Sequence, residues 1–430
     1  MRKSLLLAAV LGTFALPAAV MAEDAATVVD ATAAPITATT ADTAPSSDTK
    51  AAPIAAPATP AAPVLNGPGM NFPLALSATP INFDAGPIGK VYVSGAVSAL
   101  GLVQNNATAP FLDFFHKNST GDFSNAQIML QKIDGPVQFF IRAGGYSLPA
   151  LGVPYLKAAK ATEHTYGVIP EAYVKIAPND TFSILAGKLP TLFGAEYTFT
   201  FQNTNIERGL LWNQENAVTR GVQANYVKGP LTASVSIADG FYSKDYTWLT
   251  GLVSYTINDS NSISVVAGGN WDKSKAFNAY QTPIAQNNGQ IYNIIYKYTK
   301  GPLTLQPYLQ VTNIPAEPSL GWTKDARTYG GALLANYAVT DTVNIGGRAE
   351  YIASSGSLTN GAPNLLGYGA GSDAYSLTIT PTYQNKGFFL RGELSYVKVN
   401  NFDKAGALGF GKAGTDSNQA RFLAETGFLF

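Results

Sequence analysis

The chain has 430 residues and no cysteine, and only 13% of its residues are charged, with 28 basic and 28 acidic side chains in balance. Ordinary soluble domains carry about 25% charged residues, so the composition favours an unusual β-rich protein or a chain that meets lipid. The absence of cysteine excludes disulfides and thiolate metal sites, and no basic patch argues for nucleic acid. No run of 18 apolar residues is present, which excludes a transmembrane helix.

The first 22 residues have the parts of a secretory signal peptide. Arg2 and Lys3 supply the positive charge, Leu5 to Ala19 form a short apolar core, and Val20-Met21-Ala22 offer the cleavage positions. Because the core is too short to span a membrane permanently, we predict that residues 1–22 direct export and are removed. An uncleaved anchor is the weaker alternative.

Residues 23–84 differ in composition from the rest of the chain. Glu23 to Val64 consist almost entirely of Ala, Thr, Pro, Asp and Ser, and such a segment buries too little apolar surface to offset the entropy of ordering. We predict a disordered periplasmic leader. It would act as a spacer or, alternatively, as a tether to the cell wall or to a partner.

From about residue 88 to Phe430, apolar and polar residues alternate with the period of two that belongs to a β-strand with two different faces, and we predict a barrel domain over residues 85–430. Segment 375–383 puts five mostly apolar residues on one face and four Ser or Thr residues on the other, and segments 343–351 and 388–397 repeat the pattern. These runs match the roughly 9–11 residues that a membrane strand needs and exceed the roughly 5–6 of sandwich strands. The pattern therefore predicts strands with a lipid face and a lumen face.

Short and long connections alternate along the whole of 85–430. Seven short turns rich in Gly, Pro, Asn and Asp, which supply tight backbone geometry, separate eight longer polar connections. Together they join sixteen strands and return both termini to one side, as in a barrel with periplasmic turns and external loops. We predict an all-β fold, a transmembrane antiparallel up-and-down β-barrel of about sixteen strands, with fourteen or eighteen as the alternatives.

Aromatic residues support the same barrel. Five tyrosines of the apolar face stand three or four residues before a short turn, at the height that an interfacial girdle requires: Tyr226, Tyr255, Tyr298, Tyr337 and Tyr383. The last segment, 418–430, ends on Phe430 and resembles the C-terminal strand of bacterial outer-membrane proteins. That resemblance implies recognition of Phe430 by the barrel assembly machinery, and a location in the lipid of the outer membrane of a Gram-negative bacterium.

The segment around the third long connection resembles a known family. Gly187-Lys188-Leu189-Pro190-Thr191-Leu192-Phe193-Gly194-Ala195-Glu196, Arg208-Gly209 and Arg220-Gly221-Val222-Gln223-Ala224-Asn225-Tyr226 are similar to the OmpL-like family of β-barrel porins. The resemblance covers about 85–430 in outline and implies a channel without indicating a substrate. General porins of this size often form homo-oligomers, and no subunit interface is visible in the sequence.

The third long connection, 189–219, is the longest. In general-diffusion porins this loop folds into the lumen and sets the constriction, so we expect its charged residues to face basic wall residues across a transverse field. An ordinary external loop over the mouth is the alternative. The predicted constriction residues are Glu196, Glu207, Arg208 and Glu215.

Face parity predicts which charged residues line the lumen. A Lys or Arg facing lipid at mid-depth costs about 2–4 kcal/mol, so we place on the inner face Arg142, Glu171, Lys175, Arg348, Glu350, Arg391, Glu393, Arg421 and Glu425. In a wet interior, their mutual ion pairs would contribute roughly 0–1 kcal/mol each. Lys188 and Arg220 fall on the lipid parity, and we expect them at the external rim or beside a bulge.

These features predict a porin that passes small hydrophilic solutes or ions. The runner-up is a closed structural or adhesive barrel that joins envelope layers through its leader, and an outer-membrane hydrolase is the third hypothesis. Catalysis has little support, because His116 and His164 are the only histidines and fall in or beside external loops. The sequence offers no phosphate-binding loop and no spaced metal ligands, so we expect no enzyme, cofactor or metal.

Overall fold

A computed structural model of the chain describes residues 74–77, 79–109 and 112–430. Within them, sixteen antiparallel strands form one closed sheet, in which the last strand pairs with the first. The strands are β1 Lys90–Gln104, β2 Ser119–Lys132, β3 Val137–Tyr146, β4 Glu171–Ile176, β5 Phe182–Pro190, β6 Val218–Lys228, β7 Leu231–Ala238, β8 Trp248–Asn258, β9 Asn261–Asn270, β10 Gln290–Lys300, β11 Leu303–Ile314, β12 Ala326–Ala338, β13 Val343–Ser354, β14 Asp373–Asn385, β15 Phe388–Asn400 and β16 Asn418–Leu429. The predicted sixteen-stranded barrel is thereby confirmed.

The connections define two edges of the barrel. Turns as short as 229–230 and 301–302 lie on one edge, here the short-turn edge, whereas connections as long as 147–170 and 191–217 lie on the other, the long-loop edge. The order alternates throughout, as the sequence predicts. Because sixteen is even, β1 begins and β16 ends at the short-turn edge.

The two faces of each strand differ as the alternation predicts. On β14 and β15 the outward side chains include Leu377 and Leu394, which are 64% and 59% exposed, while the inward Thr378 and Arg391 are buried. Exposure of so much apolar surface to water would be unfavourable by about 25 cal/mol per Å². This outer face therefore suits lipid, and the polar residues face the lumen.

The predicted tyrosine girdle lies on the outer face. Four of the five, Tyr226, Tyr255, Tyr337 and Tyr383, are exposed near the short-turn edge, and Tyr298 is half-buried. Their amphipathic rings suit the boundary between lipid and water.

Smaller elements decorate the barrel. Strand Ile81–Asp84 is followed by a tight turn over Gly86–Ile88 and pairs with the start of β1. Ordered structure therefore begins before residue 85, the predicted boundary between leader and barrel. At the long-loop edge, strand Phe114–Phe115 pairs with Tyr155–Leu156, ahead of helix α1, Ala158–His164. Helix α2, Ile284–Asn287, lies in the connection before β10.

Three further 3-10 turns lie in the connections between the strands. Besides Gly86–Ile88, 3-10 turns cover Thr200–Gln202, Trp212–Gln214 and Pro318–Leu320. No helix in the described ranges is both long and apolar enough to cross a membrane. The predicted signal peptide, 1–22, and most of the predicted leader lie outside the described residues.

Candidate functional site: the lumen and its third loop

Loop three, residues 191–217, lies inside the barrel. Near its start, Leu192 and Phe193 pack in one apolar cluster with Trp248, Leu252 and Val266 of β8 and β9. Farther along, Thr200 Oγ1 donates to Glu425 Oε1 of β16 at 2.7 Å. Since β8 and β16 stand on opposite sides of a sixteen-stranded barrel, the loop crosses the lumen from wall to wall.

Two glycines permit this close fit. Gly194 has φ +75°, a conformation that favours glycine, and a Cβ there would lie 1.9 Å from Glu215 Oε2. At Gly209 a Cβ would lie 2.1 Å from Glu350 Oε1. Lack of a side chain at Gly209 lets the Glu350 carboxylate reach the loop backbone, where it accepts from Leu210 N at 2.9 Å and from Leu211 N at 3.3 Å.

The charged residues of β13 bind the loop directly. Arg348 Nη1 donates to Glu196 Oε1 at 2.6 Å and to the Glu207 carbonyl oxygen at 2.7 Å. Its Nε lies 3.2 Å from Glu350 Oε2 within the same strand. Glu350 Oε2 also accepts from Ser376 Oγ of β14 at 2.7 Å. Arg348 and Glu350 therefore connect β13 both to the neighbouring strand and to loop three.

The charged residues of β15 make a second attachment. Arg391 forms an ion pair with Glu425 and donates to the carbonyl oxygens of Asn203 at 2.9 Å and Thr200 at 3.0 Å. Glu393 accepts from Glu207 N at 3.0 Å. Arg391 and Glu393 of the wall therefore bind the backbone of loop three at residues 200, 203 and 207.

Glu207 connects the loop to a third arginine. Arg421 Nη1 of β16 donates to Glu207 Oε1 at 2.7 Å, and Ser395 Oγ donates to Glu207 Oε2 at 2.8 Å. Arg421 also donates to the Ala150 carbonyl oxygen at 2.9 Å, which belongs to the connection 147–170, here loop two. This arginine thus binds loops two and three together.

The remaining predicted wall charges lie on β3 and β4. Arg142 Nε donates to Glu171 Oε2 at 2.9 Å, and its guanidinium stacks 4.5 Å from the centre of the Phe199 ring of loop three. Lys175 lies on the same inner face, nearer the short-turn edge, and is half-buried. Of the nine predicted wall residues, Lys175 and Glu393 make no ion pair among the described residues, and Glu393 instead accepts hydrogen bonds from the loop backbone.

Arg208 and Glu215 complete the predicted constriction set. Arg208 is buried over the Trp212 ring at 5.2 Å, and none of its nitrogens has a hydrogen-bond partner in the described chain. Glu215 Oε1 accepts from Tyr308 Oη at 3.4 Å. Burial lowers the pKa of Arg208 to about 10 and raises the pKa of Glu215 well above its ordinary value.

The arrangement differs from the sequence expectation in one respect. Acids of the loop and arginines of the wall were expected to face each other across water, but Glu196 and Glu207 contact Arg348 and Arg421 directly. Both pairs are buried, so the estimate for exposed pairs does not apply to them. Breaking a buried pair costs about 3–5 kcal/mol because it strands a charge.

Three inward features escaped the sequence analysis. Loop two enters the lumen, where Leu151 N donates to the Arg208 carbonyl oxygen at 2.9 Å. Loop three packs Leu210 and Leu211 against Ile295 and Leu334 of the inner wall. At the short-turn edge Leu74, 1% exposed, packs into the lumen's apolar cluster beside Phe140.

Leu74 is held in place by its neighbour. Ala75 N donates to Gln384 Oε1 at 2.8 Å, and Gln384 Nε2 donates to the Ala75 carbonyl oxygen at 2.7 Å. Gln384 stands on the inner face of β14 beside a short turn. The segment before the first strand therefore lies in the mouth of the barrel.

The histidines lie away from the lumen charges. His164 Nε2 is 3.0 Å from Asp113 Oδ2, and the His164 ring stacks on Tyr280 with centroids 4.5 Å apart. His116 lies in the connection before β2. Within the described part of the chain, no group of His, Asp and Glu side chains has an arrangement that could hold a metal ion.

Solved structures share this architecture at low sequence identity. OmpT of Vibrio cholerae, expressed in the outer membrane, superposes with a TM-score of 0.52 at 13% identity, covering 82% of this chain and 100% of its own. The outer membrane channel DcaP of Acinetobacter baumannii gives 0.52 at 12% identity, covering 79% of this chain and 97% of its own. An in-vitro folded, trimeric OmpT gives 0.51 at 13% identity, covering 79% and 99%.

These likenesses establish the fold, a porin-like barrel of the outer membrane of Gram-negative bacteria. No curated protein sequence matches the chain. A family model does match, over residues 90–430, from the first strand of the barrel to the last residue. The chain belongs to the family described as Putative beta-barrel porin-2, OmpL-like.

Proposed function

We propose that this porin is a passive diffusion channel for small hydrophilic solutes or ions, which pass along the lumen beside loop three. The observation that carries the proposal is the charged and hydroxyl-bearing inner wall, exemplified by Arg391, Glu393 and Thr380. A polar inner wall of this kind is typical of a water-filled lumen. The long-loop edge would face the cell exterior.

The lumen carries acidic and basic side chains in balance. Seven buried glutamates of the inner wall and loop three accompany five buried arginines: Glu171, Glu196, Glu207, Glu215, Glu350, Glu393 and Glu425, with Arg142, Arg208, Arg348, Arg391 and Arg421. Pore charge and diameter together filter solutes. Two inward lysines, Lys175 of β4 and Lys297 of β10, bring the bases of this set to seven, so we propose a pore with little preference between cations and anions.

Purified protein inserted into a planar bilayer tests the proposal. We expect discrete conductance steps and, in a potassium chloride gradient, a reversal potential close to zero. A reversal potential displaced strongly toward the potassium or the chloride equilibrium value would overturn the absence of charge preference alone. Absence both of conductance and of liposome swelling would overturn the channel.

A closed structural or adhesive barrel is the second candidate. Its support is the continuous attachment of loop three to the wall through Arg348, Arg391 and Arg421, together with Leu74 in the mouth. It predicts no conductance in wild-type protein and weakened envelope integrity after deletion of residues 24–64. The proposal includes no catalytic step.

We further propose that the outer-membrane assembly machinery recognises the C-terminal strand through Phe430. Phe430 N donates to the Gly95 carbonyl oxygen at 3.1 Å, and Gly95 N donates to the Phe430 carbonyl oxygen at 2.9 Å. Phe430→Ala should lower the amount of folded barrel in outer-membrane fractions more than Phe428→Ala, which removes another outward aromatic ring. Equal amounts for the two variants would count against recognition.

We also propose that this barrel forms homo-oligomers, as OmpT does in its trimeric form. Native mass spectrometry of the purified protein tests this proposal.

A further inference from the structure

Two basic residues face outward, toward lipid, at the long-loop edge. Lys188 of β5 and Arg220 of β6 stand directly opposite each other in the strand register. Both share the outward parity of Ile184 and Val222. Like charges directly opposite each other destabilise a sheet, so this pair needs a compensating partner.

Arg220 is compensated within the protein. Its Nε donates to Asp239 Oδ2 at 2.7 Å, its Nη2 donates to the Tyr242 carbonyl oxygen at 3.0 Å, and its guanidinium lies 3.8 Å from the centre of the Tyr242 ring. Asp239 is buried and also accepts from Arg220 N at 2.7 Å. One charge is therefore matched, although the Arg220 side chain stays 21% exposed.

Lys188 keeps its positive charge unmatched. Its Nζ donates to the carbonyl oxygens of Ile169 at 2.7 Å and Tyr166 at 3.1 Å, and it lies 5.5 Å from the Tyr242 ring centre. Within the described residues no carboxylate reaches it. Because an ammonium group has three donors, one remains for an external acceptor.

The two cations stand at the head of an outward groove. The groove has a volume of about 740 Å³ and is bordered by the exposed Val222, Ile237 and Tyr246. Val222 lies opposite Ile237 in the register, one outward position deeper than Arg220. The groove therefore has a charged end at the membrane rim and an apolar floor that runs toward the membrane centre.

We propose that this groove binds a phosphorylated glycolipid of the external leaflet, with its phosphate on Lys188 and Arg220 and an acyl chain along Val222 and Ile237. The assignment rests on the order of the groups in depth, because the phosphates of such a lipid lie at the membrane surface and its acyl chains lie deeper. Charged donors bind phosphate oxygens more strongly than neutral donors do. Tyr246, 53% exposed, supplies an amphipathic ring at that boundary.

Titration with bisphosphorylated lipid A, followed by native mass spectrometry of the detergent-solubilised full chain, tests the site. Lys188→Gln keeps a donor for the two carbonyls and removes the charge, so we expect about tenfold weaker binding. Lys228→Gln is the matched control, because Lys228 is outward at the other end of the same strand β6. That variant should bind lipid A as the wild-type protein does.

A second arm needs no variant. Dephosphorylated lipid A should bind wild-type protein as weakly as lipid A binds Lys188→Gln. Wild-type affinity in Lys188→Gln that migrates as a folded barrel, or equal affinity for the dephosphorylated lipid, would overturn the site. Equally tight binding of phosphatidylglycerol would overturn the choice of a glycolipid.

Discussion

Arg391 of β15 binds both the neighbouring strand β16 and loop three. It pairs with Glu425 of the adjacent strand and holds two carbonyl oxygens of loop three. All of these partners are buried, so nothing in water replaces a lost contact. The residue therefore couples barrel stability to the position of the loop.

Substitution of Arg391 by Met should destabilise the barrel and loosen loop three together. Loss of one member of a buried pair costs about 3–5 kcal/mol, and we expect an earlier unfolding transition in urea and a higher single-channel conductance. Arg327→Met is the control, because Arg327 is exposed. A variant as stable as the control would contradict the assignment of Arg391 as an anchor.

Loop three is the element on which the pore depends. Its approach to β13 requires Gly209, where an added Cβ would meet the Glu350 carboxylate. The two backbone N–H groups that Glu350 binds would be displaced by such a change. The loop's position therefore rests on a missing side chain as much as on charge.

Gly209→Ala should displace loop three without altering any charge. Overpacking of this kind costs about 1–3 kcal/mol, and we expect altered conductance with an unchanged strand content by circular dichroism. Gly101→Ala is the matched control, because a Cβ at Gly101 meets nothing within 4 Å. Identical conductance in both variants would show that the loop tolerates the added methyl group.

The strands were predictable from sequence because a period of two places each residue on one face whatever its partners are. The inward packing of loop three on apolar wall was not predicted, although pairs such as Val265-Val266 and Leu333-Leu334 interrupt the alternation. Val266 and Leu334 point inward and are covered by the loop. A loop carries no such period, so loop two's contact with Arg208 had no signal in sequence.

At the scale of the whole molecule, the described end of the predicted leader packs against the barrel. Leu74 is buried among inner-wall residues, and Gln384 holds its neighbour Ala75. Residues 74–77 of the predicted leader therefore lie in the mouth of the lumen, and Ile81–Asp84 pair with β1 at the short-turn edge. Full burial of a leucine contributes about 1.5–3 kcal/mol, so Leu74 adds only modestly to the stability of the barrel.

Deletion of residues 24–77 should raise conductance, because it removes Leu74 from the mouth. Deletion of 24–64 is the control, since it shortens the leader and leaves Leu74 in place. Bilayer recordings of both proteins beside the wild type measure the difference. Equal conductance in the two deletions would show that Leu74 does not narrow the path.

The seam between β16 and β1 also has a kinetic consequence. Leu429 pairs with Ala96 and Arg421 with Gln104, so the closing strands come from opposite ends of the barrel sequence. Until the last strand arrives, both edges of the growing sheet carry unpaired backbone groups, which template aggregation. Contacts so distant in sequence form slowly. Both edges of the sheet therefore stay open to aggregation until the residues around Phe430 pair with β1.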